Sequence, residues 1–149
     1  MRTLVWQRLD SPGMEIAYVE NLDHAVGTQV GKDYELRWRL EDTRLELELN
    51  RLESTTVELG KGDFFDLYAS PFFNSLPVMR DGLLNEGPPR DYVMTFIRVP
   101  DLSVDLSRQR YEPRGGGVVR FSSGAFAADL EFDGDGFVAD YQGFLRRIF

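Results

Sequence analysis

The sequence has no cysteine and only one histidine. The first absence excludes a disulfide framework, a thiolate metal site and a cysteine nucleophile, and it fits a reducing compartment. The second leaves no histidine pair at ligand spacing. His24, beside a polar turn at 21–23, reads as an exposed loop residue, and no metal or cofactor is expected. No apolar run approaches the ~20 residues that span a bilayer. The N-terminal stretch MRTLVWQR lacks the long apolar region and small-residue cleavage site of a secretion signal, so the expected location is the cytoplasm. Basic residues are few: 17 Lys and Arg face 25 Asp and Glu, for a net charge of −8. Nucleic acid and anionic membrane surfaces are therefore poor electrostatic matches.

What the chain does have is length and aromatic bulk. Its 149 residues fit one domain, 1–149, and the 13% aromatic share, with 11 Phe, supplies a core without staples. The clearest pattern lies at 34–50. Tyr34, Leu36, Trp38 and Leu40 alternate with Glu35, Arg37 and Arg39; after a polar turn, Leu45, Leu47 and Leu49 alternate with Glu46, Glu48 and Asn50. Period-two alternation on both arms predicts a β-hairpin with one buried face, and it places Arg37 and Arg39 opposite Glu46 and Glu48. Shorter strands are predicted at 4–9, 15–19, 25–30, 51–59, 64–69, 107–112, 118–121, 126–132 and 137–141, separated by turns such as Ser11-Pro12-Gly13 and Asp133-Gly134-Asp135-Gly136. Tyr92 to Val99 is apolar on both faces, as in a strand lying inside a roll. Residues 101–106 read as irregular. Strands at roughly 8–12-residue spacing predict an all-β fold: an antiparallel roll or sandwich-like meander of many short strands with little or no helix.

The stretch Ser70-Pro71-Phe72-Phe73-Asn74-Ser75-Leu76-Pro77-Val78-Met79-Arg80 breaks the alternation. Two prolines argue against a helix interior or a central strand, and the phenylalanines are too apolar for a solvated loop. It reads as a proline-braced connection between two β-rich halves. Either it forms a ligand-facing wall or it plugs one end of the core. Asp66, in apolar company just before it, is expected on the outer face of a strand.

Several catalytic signatures are missing. Asp133-Gly134-Asp135-Gly136 lacks the glutamate of a calcium loop, since its twelfth position is Phe144. Gly115-Gly116-Gly117 lacks the lysine–hydroxyl pair of a phosphate loop, and no nucleophile elbow occurs. A carboxylate pair for glycoside hydrolysis, drawn from different strands, stays open. What remains is a set of polar groups amid aromatics: Glu15, Asp66, Asn74, Arg80, Gln109, Arg110 and Tyr111.

The order Trp6…Leu9-Asp10…Pro12-Gly13…Glu15, then Tyr34-x-Leu36-x-Trp38, then Ser70-Pro71-Phe72-Phe73-Asn74-Ser75-Leu76-Pro77-Val78…Arg80, resembles the bacterial "putative glycolipid-binding" family. Val99-Pro100-Asp101-Leu102-Ser103-Val104, Gln109-Arg110-Tyr111, Ser123-Gly124-Phe126 and Asp140-Tyr141 extend the resemblance over nearly the whole chain. The resemblance implies a spiral β-roll, distantly similar in architecture to bacterial lipoprotein carriers and lipid-binding envelope proteins. The chain departs from the pattern in trimmed turns between Arg39 and Phe64 and in its lack of a signal peptide.

Three functions are consistent with these features. The first is non-catalytic binding of a glycolipid or other amphipathic molecule, with acyl chains against Phe72, Phe73, Leu76 and Trp38, and a head group at Glu15, Asn74, Arg80, Gln109, Arg110 or Tyr111. The second is a structural or protein-interaction module, in one form a homodimer through an exposed strand edge. The third is a hydrolase acting on a small polar substrate through an acid such as Glu15 or Asp66.

Overall fold

The computed structural model describes all 149 residues. Turns divide the chain into β1 (Arg2–Arg8), β2 (Met14–Asn21), β3 (His24–Val30), β4 (Glu35–Glu41), β5 (Arg44–Leu49), β6 (Glu53–Glu58), β7 (Phe64–Leu67), α1 (Phe72–Asp81), β8 (Arg90–Ile97), β9 (Val104–Gly115), β10 (Val118–Ser123), β11 (Phe126–Phe132), β12 (Val138–Tyr141) and β13 (Leu145–Arg147). The strands form one sheet in the order β6-β5-β4-β3-β2-β1-β13-β12-β11-β10-β9-β8-β7. Two antiparallel meanders, β1–β6 and β8–β13, meet where the first strand pairs with the last. The single parallel pairing joins β7 to β8. The sheet does not close, because β6 and β7 stay unpaired with each other.

The hairpin register is the one that alternation predicts: Arg37 lies opposite Glu48 and Arg39 opposite Glu46. Its apolar face is sealed, with Leu36, Trp38, Leu40, Leu45 and Leu47 all at most 2% exposed. Gly27 sits across from Trp38 in β3. A Cβ there would fall 2.3 Å from the indole, so only glycine lets the strand accommodate the ring. The core continues through 32 buried apolar residues. β8 buries side chains on both faces, Thr95 and Ile97 on one, beside Phe65 and Leu67 of β7, and Tyr92 and Met94 on the other. This is the interior strand expected from the Tyr92–Val99 run.

The 70–80 stretch corrects the sequence reading: it is helical. Pro71 stands at the N-cap with φ −64°, where a missing N–H costs nothing. Pro77 lies inside the helix, a placement that costs about 3 kcal/mol in isolation. Burial offsets it, because all seven residues from Phe72 to Val78 are buried. Gly82, left-handed at φ 66°, closes the helix by donating its N–H to Val78 O. Phe72 and Phe73 lie 5.6 and 4.9 Å from Trp38 in β4. At the far end Arg80 pairs with Asp23 at 2.5 Å, and Tyr92 Oη donates to Asp81 at 2.5 Å. The helix therefore fills the concave side of the curled sheet. A smaller correction concerns 101–106, where β9 already begins at Val104.

Candidate functional site

The register of the second meander lays a row of side chains across its inner face. Asp66 in β7 pairs with Phe96 in β8, and Phe96 with Asp105 in β9. Gln109 follows on the same face of β9. Opposite them stand Phe121 (β10), Phe126 (β11), Tyr141 (β12) and Phe144, while Asp10 and the residues leading into α1, Tyr68 to Ser70 and Asn74, close one end. Together they enclose an open cleft of about 740 Å3. That is the size of an ordinary small-molecule site. At its mouth Leu106 and Phe126 are 57% and 51% exposed.

The charges lining the cleft are mostly spoken for. Arg98 is paired with Asp105 and lies 5.4 Å over the Phe96 ring. Arg8 reaches Asp10 at 2.9 Å while its guanidinium lies 4.7 Å from the Phe144 ring and 5.6 Å from Tyr68. Asp66 differs. Its only protein partner is Gln109 Nε2, which donates to Oδ2 at 2.7 Å. Burial drives the Asp66 carboxyl up to about 6, with the Gln109 hydrogen bond acting against the rise. This corrects the expectation that Asp66 lies on an outer face: β7 is an edge strand, but its register with β8 sets Asp66 beside Phe96 on the face that lines the cleft. Burial, reinforced by the Asp66 charge, also raises the phenols of Tyr111 and Tyr141. Asn74 Nδ2 donates to Tyr111 Oη at 3.3 Å behind the cleft wall.

A second polar cluster is sealed in the core beyond the α1 end. Glu15, 0% exposed, accepts hydrogen bonds at Oε2 from Ser70 Oγ and, at 3.3 Å, from Trp38 Nε1. Gln29 Nε2 donates to Ser70 Oγ at 2.9 Å and to the Tyr68 carbonyl at 2.7 Å, and Tyr34 Oη donates to Gln29 Oε1. Burial pushes the Glu15 carboxyl up to about 8, against the pull of Ser70 and Trp38, so it is neutral at pH 7. Ser70 belongs to both regions: it lines the cleft and holds Glu15.

Of the residues singled out in the sequence, the cleft brings together Asp66, Asn74 and Gln109, with Tyr111 directly behind Asn74. Glu15, Phe72 and Phe73 are core. Arg80 and Arg110 are exposed and paired with Asp23 and Asp91. Phe96, Phe121, Phe126, Tyr141 and Phe144 line the cleft without having been singled out. Their strand alternation marks them as inward-facing but cannot distinguish packed core from cleft wall. Asp133 and Asp135 form a turn braced by Arg2 and Arg147. No helix is long and apolar enough to cross a membrane.

A DUF1089 family protein from Pseudomonas aeruginosa, known from a crystal structure at 1.80 Å resolution, has the same fold. The two superpose with a TM-score of 0.77 at 23% identity, covering 93% of each chain. No curated protein matches the sequence. The model of one family matches residues 28–147, from within the third strand to the end of the last, the helix between the meanders included. On this match the chain belongs to the "Putative glycolipid-binding" family.

Proposed function

We propose that the protein binds an amphipathic, lipid-like molecule in the cleft between α1 and the second meander. The observation that carries this reading is the division of the cleft wall. Leu106 and Phe126 offer apolar contact at the exposed mouth and Phe96, Phe121 and Phe144 along the walls, while the buried Asn74 and Gln109 gather polar atoms with Asp66. Apolar walls with a few convergent polar groups are what an acyl chain and its head group require. The family name points the same way. Phe72, Phe73 and Glu15 support the site from behind.

A hydrolase would draw on Asp66, a cleft carboxyl raised toward neutrality. It would also need a second catalytic group. The other lining carboxylates, Asp10 and Asp105, are each held by an arginine, which favours binding over hydrolysis.

Native mass spectrometry of gently purified protein, with organic extraction of whatever accompanies it, tests the reading. An adduct that extracts as lipid or glycolipid is the expected result. A bare mass, together with no binding of alkyl amphiphiles in titration, would overturn it and shift attention to a protein partner.

A further inference from the structure

The deep end of the cleft has a consistent hydrogen-bonding polarity. Gln109 is 5% exposed and gives its N–H end to the protein: Nε2 donates to Asp66 Oδ2 at 2.7 Å and approaches Ser107 Oγ at 3.5 Å. A carboxylate partner fixes which end of that amide faces it. The other end, Oε1, is buried and has no partner. Asn74 repeats the arrangement, with Nδ2 given to Tyr111 and no protein hydrogen bond to its Oδ1. Asp66 Oδ1 is likewise without a protein partner. Both amides thus engage the protein through their nitrogens and leave their oxygens over.

Charge points in the same direction. Asp66 is the one lining carboxylate without an arginine, since Arg98 is held by Asp105 and Arg8 by Asp10. No cation lies free in the cleft to neutralise a second anion. A phosphate, sulfate or carboxylate head group brought here would face Asp66 and a set of acceptors it cannot satisfy. Buried acceptors left unpaired carry a full desolvation cost, which a ligand can relieve only by supplying donors. The aromatic rings of Tyr141 and Phe121 line the same cleft and supply apolar wall for a ring bearing hydroxyls.

We infer that Asp66, Gln109 and Asn74 form a head-group subsite that selects an uncharged, hydroxyl-bearing head group and rejects anionic ones. This rests on the amphiphile-binding reading above and adds the chemical class of the polar end. Asp66 and Gln109 are its specificity-determining residues.

The test uses two amphiphiles of equal chain length below their micellar concentrations, decyl β-glucoside and decyl phosphate, titrated calorimetrically into the full-length protein at pH 7.5. The glucoside should bind at least about tenfold more tightly than the phosphate, the scale of one charge-assisted hydrogen bond gained or one repulsion avoided. Asp66→Asn keeps the shape and removes the charge. It should weaken glucoside binding and strengthen phosphate binding, collapsing the ratio, with a single cooperative thermal transition at or above the parent's melting temperature as the folding control. Gln109→Leu should weaken the glucoside while leaving the phosphate excluded. Phosphate binding as tight as glucoside in the unaltered protein, or a ratio that survives Asp66→Asn, would overturn the subsite while leaving amphiphile binding intact. Failure of both amphiphiles would remove the binding reading itself, and the subsite with it.

Discussion

Glu15→Gln should make the protein more stable at alkaline pH, although it removes a buried, hydrogen-bonded side chain. In the unfolded chain the Glu15 carboxyl titrates near 4.5, and in the fold burial raises it to about 8. A carboxyl raised on folding stabilises fully below its unfolded value. That contribution is lost as pH climbs through the interval up to the folded value. Each tenfold difference in proton affinity is worth about 1.36 kcal/mol, so the loss between pH 4.5 and pH 9 approaches about 5 kcal/mol, with about 3 kcal/mol already gone at pH 7. Glutamine occupies the same space and does not titrate. Its carbonyl can take the hydrogen bonds from Ser70 and Trp38 that reach Oε2, and its NH2 falls where Oε1 has no partner. The difference in unfolding free energy between variant and parent should therefore grow in the variant's favour by several kcal/mol from pH 5 to pH 9. Urea unfolding at a series of pH values, followed by the fluorescence of the buried Trp6 and Trp38, measures it. Asp10 and Asp133, whose carboxyls are lowered, act in the opposite sense: they stabilise above pH 3.8 and lose that as pH falls, so they shape only the acid limb. Parallel pH profiles for parent and variant, or a variant that loses stability relative to the parent at pH 8.5, would refute the picture of a neutral glutamic acid in the core.

Trp38→Ala should cost about 3–5 kcal/mol, since the indole is 2% exposed and packs on Phe72 and Phe73; chemical denaturation checks it, and a cost below about 1 kcal/mol would place that face of the hairpin outside the core. Gly27→Ala drives a methyl into the indole and should cost about 1–3 kcal/mol by the same measurement, a penalty that Trp38→Ala in the same chain should largely remove. Asn74→Ala leaves Tyr111 Oη without its donor and should cost about 1–3 kcal/mol, while also weakening glucoside binding in calorimetry.

Much of the fold was legible because in a sheet a side chain's face follows from its parity. Alternation at 34–50 fixed which residues of the hairpin are buried, and a shift of one residue would have put Trp38 in water and Arg37 in the core. The double-faced apolar run at 92–99 correctly placed β8 inside. The helix escaped because local rules spoke against it: Pro71 and Pro77 six residues apart, two adjacent phenylalanines, and no acidic residue in the first turn. What makes 72–81 helical is tertiary. A cylinder of buried side chains fits the concave side of a curled sheet, and burying Phe72 through Val78 outweighs one missing hydrogen bond at Pro77. The two meanders were visible as separate runs of strands. Their joining through β1 and β13 was not, because a pairing between the two ends of a chain leaves no local mark.

The site was less legible than the fold, for a related reason. Parity says that Phe96, Phe121, Phe126 and Tyr141 point inward, but an inward side chain packs against a partner or faces a gap according to what stands opposite. What stands opposite here is set by how tightly the sheet curls and by where α1 enters. Polar residues were a better guide where two of them converge from distant elements, one on α1 and one on β9. Gln109 and Asn74 are 35 positions apart in sequence and share one cleft, each holding its N–H end on the protein. Asp66 was misjudged because a carboxylate alternating with Phe65 and Leu67 looks like an outer-face residue, whereas its register with Phe96 sets it on the face that lines the cleft. A charge kept out of water in the cleft wall, with an amide rather than an arginine as its partner, is costly to the fold. Hydroxyls donated by a bound ligand would offset that cost, which is the physical ground for taking Asp66 as the centre of the site rather than an accident of the core.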